Sequence, residues 1–366
     1  MTASPHAAAH RATELEIQRL LRHGAALPGD LPLPDHHQLW TAFSQAADGG
    51  KRFRPALLLS THSALGGTRE RAAVQVAAAL ELLHTALVVQ DDVIDGDQLR
   101  RGVPSVSGGV AAYARRAGSS PEAARRLGEA AGILAGDLGL IAAMRAIARC
   151  EAPAPVVDRL LDLFESTLHA TAAGELADVR LQLGPADGHV VLRESLAVAE
   201  LKTALYSFQL PLRAGALLAD ASPEVLLALD EIGCLLGIGF QLLDDLLGVF
   251  GDERRTGKSA LGDLREGKRT ALIAHASTTD AWPALHPLLG RADLDEADAR
   301  RARELLTDGG SRAWVEDVAR WHLSSATEAA ARHDLPPALV TALDLTTHQM
   351  LRAADLPLPD HEGLPV

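Results

Sequence analysis

From Val74 to Arg101 the chain reads VQVAAALELLHTALVVQDDVIDGDQLRR, with neither Pro nor Gly for more than twenty residues. Its first part is apolar on nearly every side. A helix of that kind is buried inside a domain rather than laid on its surface. The same helix ends in Asp91, Asp92 and Asp95. A helix C-terminus carries partial negative charge, so bare carboxylates are disfavoured there. Three acids closing a buried helix call for a positive partner, and a divalent metal that in turn holds a phosphate would supply one.

The rest of the chain gives this helix a helical setting. Ala and Leu dominate, aromatic residues are 3% of the sequence, and no segment alternates in the manner of a strand. The spacing predicts an all-α fold. Ser4-Pro5, Ser120-Pro121-Glu122 and Ser222-Pro223-Glu224 each place a capping Ser before a first-turn Pro. Breaks at Pro28–Pro34, Gly66-Gly67, 102–109, 153–155, Gly184-Pro185, 251–267 and Gly309-Gly310 leave room for roughly ten or more helices. With 366 residues, 47% of them hydrophobic, the chain can bury a large core. No change in composition marks a linker, so one domain over 1–366 is expected, with tails at 1–12 and 353–366.

Charge and cysteine content narrow the setting. A net charge of -13 argues against a nucleic-acid partner, which would want a basic face. Cys150 and Cys234 have no metal or redox spacing and suit free thiols in a reducing cytoplasm. The N-terminus lacks a signal-peptide pattern. The long apolar helices are broken by charges or run into aspartates, so no membrane span is expected.

A second helix repeats the theme. From Pro223 the chain reads PEVLLALDEIGCLLGIGFQLLDDLLGVFGDERRTGKSALGDLREGKRT, again apolar until adjacent aspartates, Asp244 and Asp245. Asp91 and Asp95 stand four apart and project from one face. Four after Asp244 lies Gly248, so the second cluster lacks one carboxylate. One such cluster alone is most often a solvated helix face. Two, each ending an apolar helix, are harder to dismiss, and antiparallel packing would bring both acidic ends to one mouth. An all-oxygen ligand set of this sort suits Mg2+, which bridges one or two carboxylates to substrate phosphates. Softer metals would want His or Cys at ligand spacing.

Cations supply the other half. Of 35 Lys plus Arg, only four are lysine: Lys51, Lys202, Lys258 and Lys268. Lys51 lies with Arg54 in GGKRFRP, Arg100 and Arg101 follow the first acid cluster, and Lys258 and Lys268 follow the second. Lys202 precedes Thr203 in LKTALYSF, a mostly apolar helix where an unpaired ammonium would be costly. A chance set of salt bridges is the plainer account, but all four lysines fall in candidate site segments.

GGKRFRP, ELLHT, DDVIDGDQLRRG, LAGDLGL, GELADVR, LKTALYSF, FQLLDDLLGVFGD, TGK and LREGKRT follow one another from about Gly49 to Thr270. In this order they resemble the trans-isoprenyl diphosphate synthases, the polyprenyl synthetase family. The resemblance implies an isoprenoid synthase fold, with helices around a deep central cavity, and a homodimer. It implies head-to-tail condensation of isopentenyl diphosphate with an allylic diphosphate, using three Mg2+ ions. Asp91 and Asp95 would bind metal with Asp92 in support, Asp244 would take the third ion, and Asp263 would act through water. Lys202, Thr203, Gln241, Lys258, Lys268 and Arg100 would hold the allylic diphosphate. Lys51, Arg54, His84 and Arg101 would hold isopentenyl diphosphate; without the motif His84 reads as a packed helix histidine. Lys202 and Lys258 join the acids as catalytic groups, since fixed charge stabilises pyrophosphate as it departs.

Two positions depart from the family pattern: Gln90 stands where His is frequent, and Gly248 replaces an acid of the second motif. With Asp244 retained, activity is expected to survive. Ala86 and Leu87, just before Asp91, are the expected chain-length positions. Farnesyl-length family members carry bulky aromatics there. Ala86 leaves room, so a product of C20 or longer is expected, geranylgeranyl diphosphate first. The rival readings are a terpene cyclase on the same fold, which would not need the Lys51, Arg54 and Arg101 set, and a non-catalytic subunit of a heteromeric synthase, which should have lost catalytic groups.

Overall fold

The computed structural model describes residues 5–26, 34–50, 52–183, 191–251 and 261–356. Among them the only strands are two of two residues each, so the fold is all-α as expected. The chain divides into two compact units, residues 1–164 with 213–221, and residues 165–212 with 222–366.

In the first unit the elements are α1 (Pro5–Ala25), α2 (Pro34–Ala47), α3 (Phe53–Ala64) and α4 (Glu70–Ile94), then a hairpin of β1 (Leu99–Arg100) and β2 (Val103–Pro104). The hairpin pairs Leu99 with Pro104 and Arg100 with Val103. After it come α5 (Val106–Arg116), α6 (Pro121–Ala148) and the first turns of α7 (Ala154–Gln182). α4 is the hub and packs against α1, α2, α3, α5 and α6. This is why its apolar residues run all round it: Val76 to Leu80, Leu82, Leu83, Ala86 and Val89 are all buried. α6 comes close through its glycines. A Cβ at Gly136 would lie 2.5 Å from Cγ of Gln90, and one at Gly139 would lie 2.9 Å from that of Ala86. α1 begins at Pro5 and is helical through residues 5–12, which the sequence reading assigned to a tail.

The second unit is built on α10 (Pro223–Phe250), after α8 (Leu192–Val198) and a π-helix (Ala199–Gln209); α9 (Leu210–Leu218) follows the π-helix and has its residues 213–218 in the first unit. It continues with α11 (Gly262–Glu266), α12 (Ala271–Ala276), α13 (Trp282–Leu285), a 3-10 turn (His286–Leu288), α14 (Glu296–Asp308), α15 (Ser311–Arg332) and α16 (Pro337–Ala353). α10 packs against the π-helix and α15. Gly237 makes the first contact possible, since a Cβ there would sit 2.2 Å from that of Ala204. Two of the expected Ser caps form: Ser120 Oγ accepts from the Ala123 N–H at 3.3 Å, and Ser222 Oγ from that of Val225 at 3.4 Å, while Ser4 lies outside the described residues.

By length and composition α4, α6 and α10 are each apolar enough to cross a membrane, which corrects the expectation that no segment is. Within the protein, 72%, 44% and 50% of their most apolar windows are buried. Cys150 and Cys234 are free thiols, the first buried and the second partly so.

Candidate active site

The end of α4 and the hairpin form one acidic cluster. Asp95 caps the helix, its N–H bonded to the Asp91 carbonyl at 2.9 Å, which sets the two residues one turn apart. Arg101 and Gly102, the two turn residues of the hairpin, both have positive φ, 54° and 76°. This is the type I′ geometry that matches strand twist, and it turns Arg100 back over the acids. Arg100 donates through Nε to Asp92 at 2.6 Å and through Nη2 to Asp91 at 3.0 Å and Asp97 at 3.4 Å. Asp92 is buried, and burial pushes its carboxyl up to about 6 against the opposing pull of Arg100. Burial works against the charged form of Arg100 as well, but Asp92 and Asp91 outweigh it and raise its pKa. Arg100, expected on the allylic diphosphate, is thus paired with the acids.

Seven residues before Asp91, on the same helix, stands His84. Burial lowers its pKa well below the ordinary value, and the charges of Arg54, Arg101, Arg100 and Arg52 lower it further. Four guanidinium charges thus act against a charged imidazole. α4 thus carries carboxylates at its end and, two turns earlier, a histidine under net positive charge. Ala86 between them is fully buried beside Gly139 and Phe43, whereas Leu87 is partly accessible. Gln90, which replaces the frequent His, donates to Asp137 at 3.2 Å.

In the second unit Lys202 and Thr203 lie on the π-helix. Wide helical turns of this type are rare and concentrate at functional sites. Lys202 Nζ contacts Glu175 at 3.0 Å and Asp178 at 2.8 Å, both from α7. Thr203 Oγ1 donates to Gln241 at 2.6 Å, and Gln241 Nε2 donates to Asp245 at 2.8 Å. Asp245 is buried while Asp244 is exposed. Burial pushes the Asp245 carboxyl up to about 8; the Gln241 bond opposes this, and Asp263, Asp244 and Asp178 add to it. Lys268 lies 3.8 Å from Asp263 and 3.2 Å from Glu266. Lys51 and Lys258 lie outside the described residues.

Sequence reasoning passed over Glu175 and Asp178. Their i, i+3 spacing within GELADVR puts them on one helix face, which was the available signal. Among the described residues no three His, Cys, Asp or Glu side chains gather as a dedicated metal cage. Mg2+ needs none, because it takes one or two carboxylates and fills the rest of its shell with water and phosphate oxygen. The all-oxygen pair Asp91 and Asp95, and the exposed Asp244, fit that ion.

An all-α chain with two buried helices that each end in acids has the architecture of the isoprenoid synthases. The polyprenyl synthetase family model matches residues 36–306. Geranylgeranyl diphosphate synthase of Saccharolobus solfataricus is 33% identical over 263 residues, 70% of this chain and 73% of that protein. Its counterpart in Methanosarcina mazei is 32% identical over 86% of this chain and 90% of its own length. Similar proteins also include a geranylfarnesyl and a farnesyl diphosphate synthase, at 31% and 30% identity. Among solved structures, geranylgeranyl pyrophosphate synthase of Corynebacterium glutamicum, in complex with isoprenyl diphosphate and magnesium, gives a TM-score of 0.85. It is 27% identical and covers 95% of this chain and 98% of that one. The chain belongs to the polyprenyl synthetase family and is a prenyltransferase.

Proposed function

We propose that this chain condenses isopentenyl diphosphate head-to-tail with an allylic diphosphate, releasing pyrophosphate and a trans-polyprenyl diphosphate of C20 or longer, geranylgeranyl diphosphate first. The observation that carries the reading is the polarity of α4, with Asp91 and Asp95 at its end and His84, under the positive charge of Arg54 and Arg101, two turns earlier. Two subsites of opposite sign are what two diphosphates require, one met through metal and one directly. A cyclase takes a single diphosphate and would have no use for the second.

In this reading Asp91, Asp95 and Asp244 hold Mg2+, as three ions. Bound there, the metal supplies positive charge to the diphosphate oxygens as the allylic carbon–oxygen bond breaks. Lys202, Lys258, Lys268 and Arg100 add fixed charge to the same leaving group, with Thr203 and Gln241 as hydrogen-bonding neighbours. Lys51, Arg54, His84 and Arg101 orient isopentenyl diphosphate so that its double bond faces the allylic carbon. That π pair forms the new carbon–carbon bond, and the proton then lost passes to the departing pyrophosphate. The apolar helices exclude water from the allylic cation.

The whole chain is read as one catalytic domain, cytoplasmic and not embedded in a membrane. Exposed Leu127, Ile133, Leu134, Ile141 and Met144 along α6 support a homodimer, since monomers seldom leave such a run in water. Incubation of purified protein with Mg2+, isopentenyl diphosphate and each allylic primer tests the proposal. A linear prenyl diphosphate supports it, a cyclised hydrocarbon favours the cyclase, and turnover only with an added second protein favours the partner subunit.

A further inference from the structure

Within GGKRFRP, Arg52 is the cation with no proposed ligand, and it is tightly held. Its backbone is left-handed, with φ 47° and ψ 39°, at the N-terminal boundary of α3. An L residue rarely accepts that conformation unless its surroundings enforce it. The guanidinium is 5% exposed. Its Nε and Nη2 face both carboxylate oxygens of Glu14 on α1, the second at 3.2 Å. Nη1 donates to Glu81 of α4 at 2.9 Å, and Nη2 also donates to the Ala47 carbonyl at 3.0 Å. A planar fork satisfied from three directions is a fixed point. The Arg52 carbonyl accepts the Ala56 N–H at 3.0 Å, which opens the helical ladder of α3. Arg54 lies in that first turn, and Glu81 lies one turn before His84 on α4.

We propose that Arg52 is a positioning residue: clamped between Glu14 and Glu81, it fixes the first turn of α3 and with it Arg54, so that the N-terminal helix α1 sets the affinity for isopentenyl diphosphate. The inference rests on the proposed function only for the identity of that ligand. The clamp acts on a subsite and not on the reacting carbons, so it predicts a selective effect on one substrate.

The test uses the full chain with Glu14→Gln, Arg52→Met and Arg52→Lys. Glu14→Gln keeps the shape of a partly exposed side chain, so it decides the matter even if Arg52→Met fails to fold. In the ligand-free protein, exchange of the Ala56 amide should quicken about tenfold in Glu14→Gln, with amides in the middle of α4 unchanged. The KM for isopentenyl diphosphate should rise about fivefold to tenfold, while kcat and the KM for the allylic primer stay within about twofold. Arg52→Lys, which keeps the charge and loses the fork, should fall between wild type and Arg52→Met. Unchanged exchange at Ala56, exchange that quickens throughout the protein, or KM values that rise together for both substrates would each overturn the proposal. Wild-type protein that never consumes isopentenyl diphosphate would refute the proposed function instead, and the exchange measurement would still decide the clamp.

Discussion

A Cβ added to Gly248 would lie 1.8 Å from Oδ2 of Asp263. The carboxylate of α11 therefore fills the space that a side chain at 248 would need. The glycine in the second acidic motif is accommodated by a neighbour and is not an empty place awaiting an acid. Gly248→Asp should accordingly displace the Asp263 carboxylate and lower activity by about tenfold or more, whereas Gly248→Ala, which needs only that side chain to swing aside and gains about 1 kcal/mol of helix propensity, should leave stability within about 1 kcal/mol of wild type. Steady-state rates and denaturant unfolding of the two variants check this, and a more active Gly248→Asp protein would contradict it.

Arg100 pairs with buried Asp92 and reaches Asp91. Arg100→Met leaves that carboxylate without its cation and should destabilise the metal-free protein by about 2 kcal/mol, less than for a fully buried pair because Arg100 is partly exposed. Mg2+ together with pyrophosphate should recover part of the lost melting temperature, since metal then supplies the missing positive charge. Thermal unfolding with and without the two additives measures both effects.

Product length can be probed at two adjacent positions with different surroundings. Ala86 is enclosed by Gly139 and Phe43, so Ala86→Phe should destabilise by about 1–3 kcal/mol before any change of product is seen. Leu87 is partly accessible, and Leu87→Phe should shorten the product by one or more five-carbon units at near wild-type stability. Chromatography of dephosphorylated products, paired with melting curves, separates the two outcomes. An unchanged product in Leu87→Phe would remove it from the chain-length wall.

His62 links stability to pH. It is buried at the α3–α4 connection, its Nε2 accepts the Arg69 N–H at 3.3 Å, and burial lowers its pKa. The folded state favours neutral imidazole, so this contribution is complete above the unfolded value of about 6.5 and is lost as pH falls below it. Stability of wild type should decline from about pH 6.5 downward, and His62→Gln should flatten part of that slope. Urea unfolding across this range gives the comparison.

Much of the architecture was legible because it rests on patterns that act along the chain. An uninterrupted apolar run gave α4 and α10 as the buried helices, and Ser-Pro pairs gave the starts of α6 and α10. The site residues proposed on those helices come from motif order. What escaped depends on contacts between distant segments. Nothing around Gly248 indicates that Asp263 covers it, and nothing in LKTALYSF announces a π-helix. Arg52 is one of 31 arginines, and only its three acceptors distinguish it. The acid partners of Lys202 sit in a motif that carried the resemblance without suggesting a role.

Purified protein is incubated with labelled isopentenyl diphosphate, Mg2+ and farnesyl diphosphate, and the products are resolved by chain length. The account predicts a linear prenyl diphosphate of C20 or longer with one pyrophosphate released per condensation, abolished by EDTA and reduced by about a hundredfold or more in Asp91→Ala. Unconsumed isopentenyl diphosphate, or full turnover in the presence of EDTA, would contradict it.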